Sequence, residues 1–102
     1  MKNYKITIGL NDKITLKQEI ETTACVSIVK QKMENLKKGF SLYEQKGGYE
    51  MESGQYVFEN SLVLTIFKIE KMEMFAICDY FKKVFNQESI LIVEITEQPL
   101  FY

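Results

Sequence analysis

The chain has 102 residues, of which 46% are apolar and 13% aromatic, and a formal net charge of −1. That length and composition describe one globular domain with a single core and exclude a disordered segment. There is no Arg, no His and no Trp, so the usual neutral-pH base and metal ligand is missing, as is the bidentate fork that grips phosphate or carboxylate. The near-neutral charge supplies no field to hold a polyanion, which argues against nucleic acid as a partner.

Residues 62–69 form the longest apolar run. Thr65 and Lys68 interrupt it, and it is far short of the ~20 residues a membrane helix needs. The opening Met1-Lys2-Asn3-Tyr4-Lys5-Ile6-Thr7-Ile8 carries no apolar core of a secretion signal. A cytoplasmic protein with no membrane contact is expected. Cys25 and Cys78 make no disulfide scaffold in such a chain; each falls in a helical apolar pattern and reads as a small buried hydrophobe.

Residues 2–10 alternate, with Tyr4, Ile6, Ile8 and Leu10 against Lys5, Thr7 and Gly9, the period of a half-buried strand. Asn11-Asp12-Lys13 is a turn signal, and residues 14–20 read as a short returning strand or an extended loop. Cys25, Ile28, Val29, Met33 and Leu36 then recur at helical spacing, which predicts a helix over 23–38. Thr22 or Thr23 is the expected N-cap, and Gly39 the expected left-handed C-terminal residue.

Residues 40–49 and 56–69 read as the arms of a long β-hairpin around the polar tip Glu50-Met51-Glu52-Ser53-Gly54-Gln55. In the second arm Leu62, Leu64 and Ile66 share one face, and Val63, Phe67 and Ile69 the other. Gly47-Gly48 in the first arm predicts a bulge or a close backbone approach. A second helix over 71–85 has Met74, Ile77, Cys78, Phe81, Val84 and Phe85 on one face, and Asn86-Gln87-Glu88 ends it. Residues 89–96 read as a strand that Pro99 stops, leaving Leu100-Phe101-Tyr102 as a tail expected to pack on its own sheet or on a neighbouring subunit.

The order strand, helix, strand, strand, helix, strand fits an α+β, ferredoxin-like split βαβ fold: a single domain over 1–102 with two helices on one face of an antiparallel sheet. The other face is left uncovered although apolar residues point both ways. A homo-oligomer, dimer or trimer, is therefore expected.

Candidate sites are the polar interruptions. Lys38-Gly39-Phe40-Ser41-Leu42-Tyr43 echoes an RNA-recognition signature but sits on the wrong strand in acidic surroundings, so a helix-end glycine followed by core aromatics explains it better. Lys46-Gly47-Gly48-Tyr49 offers backbone N–H groups to an anion or simply a structural bulge. Glu59-Asn60-Ser61 places three polar residues in an apolar arm, at a solvated point or in a site. Asn86-Gln87-Glu88-Ser89 reads as a second site or as a helix-stop turn whose amides satisfy free carbonyls. Glu44, Glu59 and Glu88 are candidate paired carboxylates, although spacing alone cannot bring them together. No metal spacing and no Ser-His or Cys-His arrangement exists, and no cofactor is implied. The candidate binding set is Tyr43, Lys46, Tyr49, Glu59, Asn60, Ser61, Gln87 and Glu88.

Several segments carry a resemblance: Ile8-Gly9-Leu10, Gly39-Phe40-Ser41-Leu42, Gly47-Gly48-Tyr49, Val57-Phe58-Glu59-Asn60-Ser61-Leu62 and Phe85-Asn86-Gln87-Glu88-Ser89-Ile90-Leu91. Together they resemble an uncharacterised family of small bacterial proteins classed as a domain of unknown function. In that family Trp is common where Tyr49 stands and Gly where Asn86 stands. The resemblance implies a ferredoxin-like domain with Glu59, Ser61, Gln87, Glu88 and Ser89 as recurring polar positions, and it implies no activity. More loosely, the element order and long central hairpin are similar to the trimeric signalling proteins of the nitrogen-regulator type.

The reading that follows is a non-enzymatic oligomeric binding or interaction module with a small-molecule or protein partner. One alternative is a nucleotide- or metabolite-binding sensor or sponge; its Lys-rich, Arg-free composition suits a phage or mobile element. The other is a cofactor-free enzyme using Glu, Tyr or Lys.

Overall fold

The computed structural model describes residues 1–97, 100 and 102. The elements are β1 (Lys2–Gly9), α1 (Thr22–Leu36), β2 (Phe40–Glu50), β3 (Tyr56–Ile69), α2 (Lys71–Val84) and β4 (Leu91–Ile95). The strands make one antiparallel sheet in the order β2-β3-β1-β4, with both helices on one face. This is the expected α+β, ferredoxin-like arrangement.

Alternation along β1 and β3 sends Tyr4, Ile6, Ile8, Leu62, Leu64 and Ile66 to the helix side, where all are buried. Helix α1 contributes Cys25, Val29 and Met33, and α2 contributes Met74, Ile77, Cys78 and Phe81. Phe81 is fully buried, stacked on Phe85 at 5.9 Å and edge-on to Tyr80 at 5.5 Å. Full burial of each large apolar side chain contributes about 1.5–3 kcal/mol, and this layer holds the fold together.

Several local expectations are corrected. The N-cap of α1 is Glu21, with no side-chain cap. The Thr22 hydroxyl instead accepts a hydrogen bond from Gln18 Nε2 at 2.9 Å, tying the helix start to the preceding loop. At the other end Lys37, not Gly39, takes the left-handed turn (φ 55°), and the N–H groups of Lys37 and Lys38 bond back to Glu34 and Met33. Leu36 is the last helical residue on the core, and the chain must reverse at once to begin β2 at Phe40. Residues 14–20 are a loop with a single bridge, Asn11 to Gln18.

Ile69 does not share a face with Val63. The β1–β3 register shifts between Lys2 and Tyr4, Lys68 adopts φ 54°, and its N–H donates to Asn3 Oδ1 at 2.8 Å. The irregularity resets the alternation, so Ile69 joins the buried core. Gly47-Gly48 is no bulge, because β2 and β3 stay in register through Lys46↔Asn60, Gly47↔Glu59 and Gly48↔Phe58. Gly48 is the close approach: a Cβ there would lie 2.5 Å from Tyr56 Cε1. Strand β4 begins only at Leu91 and ends at Ile95, inside the expected 89–96. In the tail, Pro99 and Phe101 lie outside the described residues, and Leu100 and Tyr102 are exposed rather than packed on the sheet.

The face opposite the helices carries Tyr43, Leu91 and Val93 partly exposed, while Val63, in register with Tyr43 and Thr7, is fully buried. Among the described residues no helix is long and apolar enough to cross a membrane.

Candidate functional site

Antiparallel pairing decides where the polar motifs meet. The end of β1 lies beside the start of β3 (Gly9↔Ser61) and near the start of β4 (Thr7↔Leu91). The latter half of β2 lies beside the same stretch of β3 (Gln45↔Ser61, Gly47↔Glu59). Four segments far apart in sequence thus converge at one end of the sheet. They enclose a hollow of about 430 Å³ whose walls include Gly9, Asp12, Lys13, Tyr49, Glu59, Ser61, Gln87 and Glu88.

Glu59 is held at its carboxylate. Its Oε2 accepts the Asn11 N–H at 3.0 Å, and the group lies over Gly9, where a Cβ would come within 2.6 Å of the same oxygen. Gly9 is therefore the small residue that lets Glu59 cross the end of β1. Ser61, nearly buried, has its hydroxyl 3.4 Å from the Gln45 carbonyl, to which it donates.

Gln87, also nearly buried, donates from Nε2 to the carbonyls of Asn11 at 2.6 Å and Phe85 at 3.2 Å. Its amide satisfies a helix-end carbonyl and also ties the α2–β4 loop to the end of β1. Beside it, Asn86 Nδ2 donates to Asp12 Oδ2 at 2.9 Å, and the Lys13 N–H donates to the Asn86 carbonyl at 3.0 Å. The Asn86 amide, then the N–H groups of Thr15 and Ile14, hold the Asp12 carboxyl below its usual range. Glu88 is exposed on the same wall.

Of the residues singled out in the sequence, Tyr49, Glu59, Ser61, Gln87 and Glu88 share this hollow. Lys46 and Asn60 do not; they line an adjoining hollow with Gln18 and Phe58, in which Asn60 Nδ2 donates to Gln18 Oε1 at 2.9 Å. Tyr43 lies apart, near Val26 and Lys30, in a third depression that also holds Glu44. The possible anion nest at Lys46-Gly47-Gly48-Tyr49 is regular strand, so its amides alternate in direction instead of converging. Of the three candidate carboxylates, Glu59 and Glu88 line this hollow, and Glu44 lies in the depression beside Tyr43.

Sequence reasoning missed Gly9, Asp12 and Lys13 as site residues. The signal for Gly9 was a glycine in an otherwise alternating strand; Asn11-Asp12-Lys13 was legible only as a turn. Among the described residues no group of Cys, Asp and Glu is placed to hold a metal ion.

No family model matches the chain and a search of curated proteins finds no match, so the likeness to the uncharacterised bacterial family rests on the quoted motifs alone. Solved structures do match. One is a phage SAM lyase in complex with S-methyl-5'-thioadenosine, with TM-score 0.64 and 25% identity over 88% of this chain and 76% of that one. A phage SAM lyase in the apo state matches with TM-score 0.55 and 27% identity, over 90% of this chain and 78% of that one. The chain is thus similar in fold, and at low identity in sequence, to a phage enzyme.

Proposed function

We propose that this chain binds SAM (S-adenosylmethionine) and cleaves it, releasing S-methyl-5'-thioadenosine. The observation that carries the reading is the 430 Å³ hollow, whose walls set the carboxylates of Asp12, Glu59 and Glu88 against the single lysine Lys13. That volume suits a nucleoside-sized ligand, and the excess of carboxylate suits a cationic one. Tyr49 adds an aromatic face, which attracts a sulfonium as it does other cations. The likeness to the phage SAM lyase points to the same ligand.

The chemistry is compatible with a chain that has no His and no Arg. A sulfonium is already a positively charged leaving group, so its departure as a neutral thioether requires no proton. When the bond from sulfur to the γ-carbon breaks, its electron pair stays on sulfur. The substrate's own carboxylate oxygen can form the new bond to that carbon, closing a lactone, and atoms and charge balance without water or an added base. What the protein supplies is positioning and electrostatics. Glu59, fixed by Asn11 and Gly9, faces the sulfonium; Glu88 and Gln87 form the opposite wall. The sequence suggested a non-enzymatic module because it offers no His base, no metal spacing and no nucleophile arrangement, none of which this reaction uses.

Incubation of the purified protein with SAM, followed by mass spectrometry, tests the reading. S-methyl-5'-thioadenosine should accumulate together with a lactone. Binding of SAM without turnover would favour the sponge reading; neither binding nor turnover would overturn both. The open sheet face, with Tyr43, Leu91 and Val93 exposed, supports a second copy of this chain as its cover, which native mass spectrometry tests directly.

A further inference from the structure

We propose that Asp12 and Asn86 form the positioning latch of this pocket, setting the distance between the wall that carries Glu59 and the wall that carries Gln87 and Glu88. The proposal rests on the SAM-cleaving reading, and it concerns residues that hold the site rather than residues that react. The Asp12 carboxylate is bonded on both oxygens: Oδ1 accepts the N–H groups of Ile14 at 2.8 Å and Thr15 at 3.1 Å, and Oδ2 accepts Asn86 Nδ2 at 2.9 Å. The carboxylate thus shapes the β1–α1 loop with one oxygen and grips the α2–β4 loop with the other. Asn86 sits at φ 48°, a left-handed conformation that Asn tolerates better than most residues, and this aims its amide at Asp12 while the next residue, Gln87, reaches Asn11.

The grip reaches the opposite wall through one residue. Gln87 Nε2 donates to the Asn11 carbonyl at 2.6 Å, and the Asn11 N–H donates to Glu59 Oε2 at 3.0 Å. Asn11 therefore lies between the two walls, and the Asp12–Asn86 bond clamps the loops on either side of it. A displacement of about 1 Å in such a frame can cost about 100-fold in rate.

The pairing of an acceptor-only carboxylate with a donor amide makes a swap experiment decisive. Asp12→Asn alone does not break the bond, because the Asn86 amide can turn over and offer its oxygen to the new NH₂ group. Asn86→Asp alone sets two carboxylates against each other. Made together, the substitutions restore one donor and one acceptor with the roles exchanged, and the Ile14 and Thr15 N–H groups keep an oxygen to bond. Asn86→Asp should lose about 10-fold or more in kcat for S-methyl-5'-thioadenosine release, with KM for SAM changing less. The double variant should recover to within about threefold of the parent. An Asn86→Asp variant within about twofold of the parent, or no recovery in the double variant, would overturn the latch.

Backbone hydrogen exchange at Gln87 and Glu88 gives the same test without substrate. Exchange should quicken about tenfold in Asn86→Asp and return in the double variant. If the parent protein neither binds nor cleaves SAM, the functional reading falls while exchange still decides the latch. Unchanged exchange in Asn86→Asp would overturn it whatever the substrate.

Discussion

The Glu59 carboxylate rests on the backbone of Gly9: a Cβ at residue 9 would lie 2.6 Å from Glu59 Oε2 and 2.8 Å from its Cδ. These residues belong to different strands, yet they occupy one volume in alternation, so the absent side chain of one is the space of the other. The same carboxylate caps the Asn11 N–H, where β1 runs out of ladder partners. Gly9 thus serves the position of an acid rather than the flexibility of a strand.

Gly9→Ala should fold, because the atoms it displaces belong to the end of a flexible side chain. The Asn11 bond would be lost at about 1 kcal/mol, and S-methyl-5'-thioadenosine release should fall at least tenfold. Gly39→Ala is the control, since a Cβ there meets nothing within 4 Å. Thermal melts and the release assay on both variants read the contrast.

Glu59→Gln keeps an oxygen for the Asn11 N–H but removes the negative charge. Turnover should drop by about 100-fold, the scale of losing one preorganised electrostatic group, with a melting temperature near that of the parent. A large loss of stability with turnover per folded molecule intact would assign Glu59 to the fold alone.

The thiols should be inert in the native state. Burial raises the Cys78 thiol to about 11, with Asp79 adding to the shift, and burial also raises Cys25. Both residues are free and buried in the core. A thiol reagent at pH 8 should react slowly with the folded protein and at once in denaturant. The folded form keeps its thiol protons longer than the unfolded chain, so stability should be full below about 8.5, the ordinary thiol value. It should decline as pH rises from there toward about 11.

On the acid side the Asp12 carboxyl is held below its usual value, first by Asn86, then by the Thr15 and Ile14 N–H groups, with Lys13 adding charge. The folded state therefore favours the ionised form. The contribution is present above the unfolded value of about 3.9 and is lost as pH falls through the lower folded one. The Asn86 side-chain amide resonances should report it, staying unshifted to a pH below the ordinary Asp range and then moving as the latch opens.

Element types and most faces were legible in the chain itself, Ile69 excepted. The alternation of Tyr4, Ile6 and Ile8 and the helical spacing of Met74, Ile77, Cys78 and Phe81 follow from side-chain burial, which acts residue by residue and leaves a periodic trace. The hairpin arms at 40–49 and 56–69 were readable for the same reason, down to the full span of β3. Capping was less legible: Thr22 had the chemistry of a cap, but the neighbouring loop offered Gln18 as a competing partner. Lys37 took the left-handed turn because the helix ended where its core contacts ended, not where a glycine stood.

The motifs Glu59-Asn60-Ser61 and Asn86-Gln87-Glu88 were visible as polar breaks, yet only the sheet order β2-β3-β1-β4 decided that Glu59, Ser61, Gln87 and Glu88 line one hollow with Tyr49 and the end of β1. It also decided that Tyr43 and Lys46 do not. Those relations depend on strand pairing between residues tens of positions apart, and no local periodicity encodes them. The sequence by itself determined the elements and most of their apolar faces; the tertiary structure decided which polar residues are buried and which of them meet, because antiparallel pairing brings opposite ends of distant strands to one place.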